Sequence, residues 1–146
     1  MKLSQHFTLE ELTFSQTASR LSINNEPGQE ELGNLKGLAN FLEVIRMKIG
    51  EPIFVSSGFR SERLNDKIGG SRTSAHMEGR AADIVAPNFG TPRELAELIV
   101  ALDLEFDQVI LEFDRWVHVA VAEKPRHEIL TAQHGLRGTE YIVGLV

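Results

Sequence analysis

Cysteine is absent from the 146 residues, which excludes disulfides and strikes thiolate from the possible metal ligands. Any metal bound here is held by His, Asp or Glu. No apolar run approaches the roughly 18 residues that a membrane-spanning helix needs, and 42% hydrophobic with 25% charged content is a globular composition. Positive charge is also short. Fifteen Lys and Arg against 21 Asp and Glu leave a net charge of −6, whereas phosphate-backbone binding calls for clustered cations. We expect neither a membrane nor a nucleic-acid partner. The opening Met1-Lys2-Leu3-Ser4-Gln5-His6 has no apolar core and no small-residue cleavage site of a secretory leader, so the expectation is folding in the cytoplasm. The length suits one domain, 1–146, around one core of ordinary size.

Thr8-Leu9-Glu10-Glu11 forms a capping box that starts a short helix, and Ser15 caps a second. Asn24-Asn25-Glu26-Pro27-Gly28 is a turn cluster. From Gln29 to Ile49, Leu32, Leu35, Leu38, Ala39, Leu42, Ile45 and Ile49 recur at three- and four-residue steps, which predicts one long amphipathic helix ended by Gly50. Ile53-Phe54-Val55 predicts a short buried strand. Ser56 to Ala75 then reads as a long loop, and a loop of that length in a compact domain is usually functional. Ala81–Ala86 is the next strand, and Thr91-Pro92-Arg93-Glu94 supplies an N-cap, a proline at the first helical position and a reciprocal glutamate. Asp107–Phe113 and Trp116–Ala122 predict a hairpin, with weaker strands at Arg126–Ala132 and Thr139–Val143. Helices first and strands later imply an α+β fold, an antiparallel sheet with helices packed on one face.

The chemistry gathers in Ser74-Ala75-His76-Met77-Glu78-Gly79-Arg80-Ala81-Ala82-Asp83 and in Trp116-Val117-His118. Asp83 interrupts an otherwise apolar strand, where an unpaired carboxylate would be costly and a dication or strong donor would compensate it. Gly79 lets the chain turn between His76 and Asp83. Two imidazoles and one carboxylate, His76, His118 and Asp83, are the open protein shell of a catalytic zinc, with a fourth position left for water.

A base is also needed. A three-residue loop at Asp114-Arg115-Trp116 would pair Glu112 with His118 and set the two side chains about 4.5–5.5 Å apart at Cβ. A two-residue loop would pair Leu111 with His118, turn Glu112 away and leave Asp114 as the base. Arg60, in the turn after the first strand, is the cation best placed to hold an anionic substrate end, since its planar fork suits a carboxylate. His6, His127 and His134 have no partner pattern that draws them into the site.

Ser57-Gly58-Phe59-Arg60 with Leu64-Asn65 and Gly69-Gly70, then Ser74-x-His76-x-x-Gly79-x-Ala81-x-Asp83, then Trp116-Val117-His118, together with the His6–Leu12 opening, resemble the zinc D-Ala-D-Ala carboxypeptidases and the phage L-alanyl-D-glutamate endopeptidases. The resemblance implies a hedgehog/DD-peptidase fold, zinc on His76, Asp83 and His118, a substrate-binding arginine at Arg60, and a role for Ser74 in holding substrate near the metal. It also implies a peptidoglycan stem peptide as substrate, and a phage or prophage lysis enzyme that reaches the wall after release. In that family the catalytic carboxylate often stands three residues before the last histidine, a position occupied here by Arg115. Hedgehog-type relatives supply the alternative reading, a zinc-stabilised wall-binding module without turnover.

Overall fold

The computed structural model describes residues 1–146. Each short N-terminal helix is closed by a side chain. Thr8 accepts from the Glu11 amide while Glu11 reaches back to Thr8, opening α1 (Leu9–Thr13), and Ser15 caps α2 (Gln16–Leu21). The long helix α3 (Gln29–Ile49) buries Leu35, Leu38, Ala39, Leu42 and Ile45, and ends at Gly50 in the left-handed region. β1 (Phe54–Ser57) follows. Within the segment expected to be a loop, Ser61 caps a seven-residue helix, α4 (Glu62–Ile68), which ends at a left-handed Gly69. The remaining elements are a single 3-10 turn at Ala75–Glu78, β2 (Ala81–Val85), α5 (Pro92–Ala101), β3 (Gln108–Glu112), β4 (Trp116–Ala120), β5 (Glu128–Gly135) and β6 (Gly138–Val143).

The six strands form one sheet in the order β1-β2-β4-β3-β5-β6. The α+β expectation holds, but the sheet is mixed rather than antiparallel throughout, because β5 runs parallel to β3. The chain gains the length to reverse between β4 and β5 by passing through 121–127, where Asp107 and Arg126 fasten the crossover with three hydrogen bonds of 2.9–3.0 Å. Alternation then divides the sheet into two faces. Ala82, Ile84, Val109, Leu111, Val117 and Val119 join the buried residues of α3 and α5 in one cluster of 20. The opposite face carries Asp83, His118, Ile110 and Glu112.

The hairpin register differs from both expected alternatives. Glu112 pairs with Trp116 and Ile110 with His118, across a connection of Phe113, Asp114 and Arg115. Phe113 and Asp114 both adopt positive φ, at 56° and 55°, a turn conformation that Asn and Gly ordinarily signal. Glu112 and His118 remain on the same face because Ile110, paired with His118, and Glu112 are two residues apart.

Candidate metal centre

Three elements deliver three side chains to one point. The 3-10 turn presents His76, with the Ser74 hydroxyl accepting from the His76 amide at 3.2 Å. β2 and β4 present Asp83 and His118 directly opposite each other in the sheet. Gly79 makes the junction possible: it sits at φ 74°, and a Cβ there would come within 2.6 Å of the Glu31 carbonyl of α3. The backbone therefore passes against the long helix on its way from His76 into β2.

His76, Asp83 and His118 offer ligand atoms that all lie within 4.8 Å of one another, and all three residues are buried. Asp83 Oδ1 stands 3.3 Å from His76 Nε2 and 3.0 Å from His118 Nδ1. Donors about 2.1 Å from a tetrahedral zinc stand roughly 3.4 Å from one another, so the observed separations are close to those of a coordination shell. The His76 Nδ1–H donates to the Gly58 carbonyl at 2.7 Å, which fixes the tautomer and leaves Nε2 as a lone-pair donor facing the centre. Such an outer hydrogen bond is the usual means of orienting a ligating imidazole. The donor set fits a borderline dication such as zinc.

The electrostatics agree with that fit. Burial holds the His76 imidazole below its usual value, against the opposing pull of Asp83, and so favours the neutral form that can ligate. For Asp83, burial alone would raise the carboxyl, but hydrogen bonding from His118 and the favourable electrostatics of the two neighbouring imidazoles outweigh it and hold the group well below the ordinary carboxylate range. Asp83 is an anion here, with a full charge to offer a cation.

The flanking residues occupy distinct places. Glu112 Oε1 lies 3.7 Å from His118 Nδ1, and burial together with the negative charge of Asp83 pushes its carboxyl above the usual range. The Trp116 indole N–H is buried without a partner at hydrogen-bond geometry, yet it is near enough to favour the Glu112 charge. Arg60 spans Ser57 at 3.1 Å, Asn65 at 3.4 Å and Asp83 Oδ2 at 3.5 Å. Asp114, by contrast, is not brought to the site. It lies on the exposed turn and pairs with Arg93 at 3.1 Å. Glu112, Arg60, Ser74 and the three ligating residues line one cleft of about 580 Å³.

Sequence reasoning includes Asn65 in the family resemblance but gives it no role, whereas the structure shows that it supports Arg60. Asn65 is fully buried on α4, where it accepts from Arg60 and donates to the Ser71 carbonyl at 2.8 Å. Gly70 packs against it so closely that a Cβ would collide with the Asn65 amide oxygen. The available signal was the serine at 61, a helix cap within a stretch that otherwise reads as loop.

A family model described as peptidase M15 matches residues 5–120, a span that contains His76, Asp83 and His118. Over 50 residues the chain is 44% identical to the zinc D-Ala-D-Ala carboxypeptidase of Streptomyces albus G, an alignment covering 34% of this chain and 20% of that protein. The chain thus spans about a fifth of that relative's length. With the match extending over most of its residues and the two imidazoles and carboxylate converging in a cleft, the chain belongs to the peptidase M15 family.

Proposed function

We propose that this protein is a zinc metallopeptidase that hydrolyses an amide bond in peptidoglycan stem peptides, removing a terminal D-alanine or cutting between L-alanine and D-glutamate. The observation that carries the reading is a carboxylate, Glu112, held beside a His/Asp/His centre in the same cleft without belonging to the compact donor set. A purely structural metal has no use for such a group, whereas hydrolysis requires one.

His76 Nε2, Asp83 and His118 would hold the zinc. When bound, the ion lowers the pKa of water and polarises the scissile carbonyl. Glu112 accepts the proton released by the attacking water on its carboxylate and returns it to the leaving amine. Without metal, burial and the charge of Asp83 raise the Glu112 carboxyl above its usual range, and Asp114, paired to Arg93 on the surface, has no part in the proton transfer. Arg60, buttressed by Ser57 and Asn65, supplies the cation for a substrate carboxylate or carbonyl. Ser74, the cap two residues before His76, lines the cleft and orients the peptide there. Such a substrate places the protein's work at the bacterial wall, reached after release from the cytoplasm, as in a phage lysis enzyme.

Incubating zinc-loaded protein with purified muropeptides and weighing the products tests the proposal. Loss of one alanine residue indicates the carboxypeptidase, and separation of the glycan-linked L-alanine from the rest of the peptide indicates the endopeptidase. Wall binding with neither product would favour the module without turnover.

A further inference from the structure

The C-terminal hairpin begins after the residues that the family model matches, and it adds a wall to the cleft. β3 pairs with β5 so that Glu112 stands beside Ala132, and β5 pairs with β6 so that Ala132 stands beside Tyr141. Directly paired residues share a face, so Glu112, Ala132 and Tyr141 form one row on the face that carries the metal centre. Two strand spacings, about 10 Å in all, separate the outer backbones of that row. The small, fully covered Ala132 between them leaves the intervening space to the two long side chains, and both line the same cleft as His76, Asp83 and His118. Other apolar residues of the hairpin are also exposed, Leu136 and Val143 among them, but neither lines that cleft.

Tyr141 is 57% exposed, so its hydroxyl is accessible to a ligand. Burial of part of the ring and the charge of Glu112 raise the phenol above its usual value, which keeps it protonated as a hydrogen-bond donor. A peptide lying across this row would meet an acceptor at Glu112 and a donor at Tyr141, and peptide carbonyls need the donor. We infer that Tyr141 contacts the substrate, its hydroxyl donating to a carbonyl oxygen of the peptide bound beside Glu112. The inference rests on the peptidase reading of the cleft.

Two measurements test it, and one needs no turnover. Tyr141 is the sole tyrosine, so its ionisation can be followed by ultraviolet absorbance without background from another phenol. In metal-free protein the titration midpoint should fall in Glu112→Gln relative to the wild type, because the two side chains share one row; a midpoint unmoved by that substitution overturns the placement. Second, calorimetry on zinc-loaded Glu112→Gln protein, which binds without efficient cleavage, should show stem peptide held about three- to tenfold more tightly than by Glu112→Gln/Tyr141→Phe, the worth of one net hydrogen bond. Wild-type protein that cleaves muropeptides, with both affinity and kcat/KM unchanged by Tyr141→Phe, overturns this inference alone. Failure of every form to bind stem peptide overturns it together with the peptidase reading.

Discussion

Replacing Glu112 with glutamine is the sharpest perturbation of the proposed chemistry, because it keeps the side chain's length and polarity and removes only its capacity to take a proton. The carboxylate lies 3.7 Å from His118 and outside the compact donor set, so metal content should be preserved. A positioned general base contributes about 10²–10⁴ in rate, equivalent to about 2.7–5.4 kcal/mol at 1.36 kcal/mol per tenfold. The expected result is therefore a fall of that size in kcat on muropeptides, with zinc near one per chain by elemental analysis. Stability should move the other way. A carboxyl whose folded-state pKa is raised makes a contribution that is lost as pH rises through that value, so at neutral pH the charge disfavours folding. Metal-free Glu112→Gln should accordingly melt no lower than metal-free wild type at pH 7, and the difference should vanish on acidification. Activity within about threefold of wild type at equal zinc content would refute the assignment of Glu112 as the base.

Other expectations follow from the same geometry. Gly79→Ala and Gly50→Ala both force a side chain into positive φ, at a cost of about 1–2 kcal/mol, but Gly50 has open space whereas a Cβ at Gly79 meets the Glu31 carbonyl at 2.6 Å; urea denaturation should find Gly79→Ala clearly the more destabilised, and equal losses would contradict the crowding. Asp107, held below its usual value chiefly by hydrogen bonding to Arg126, contributes stability that is present above the unfolded carboxyl pKa and lost as pH falls through the folded one. Asp107→Asn should thus flatten the fall in Tm across the acid range, and an unaltered acid slope would count against that pair. Leu42→Ala, at a fully buried position of α3, should cost about 2–5 kcal/mol by chemical denaturation. Asp114→Ala should leave kcat within about twofold, since its partner is Arg93 on the surface; a loss approaching that of Glu112→Gln would reinstate it.

Much of this architecture is legible in local chemistry, and the rest fails for identifiable reasons. Thr8 and Thr91 announce their helices through reciprocal bonds with Glu11 and Glu94, and the buried stripe of α3 follows its periodicity. His76, Asp83 and His118 stand out because a carboxylate in an apolar strand demands a partner, and the structure gathers them. The register at Glu112 was not readable, since Phe113 and Asp114 take left-handed conformations without Gly or Asn to mark the turn. α4 escaped notice because its seven residues fully cover only Leu64 and Asn65, too few for a periodic signal. The parallel pairing of β3 with β5 depends on a crossover secured by Asp107 and Arg126, a contact between residues 19 apart that no local pattern encodes. Tyr141 reaches the cleft only through that pairing.

The central claim is that one zinc ion sits among two imidazoles and one carboxylate with a coordination position to spare. A crystal structure of zinc-loaded protein, with anomalous scattering measured on both sides of the zinc edge, addresses it directly. The account predicts one peak per chain bonded to His76, Asp83 and His118 at about 2.0–2.2 Å, with the Glu112 carboxylate beyond bonding distance. Absence of a peak there under saturating zinc, or a peak whose fourth ligand is Glu112, would contradict it.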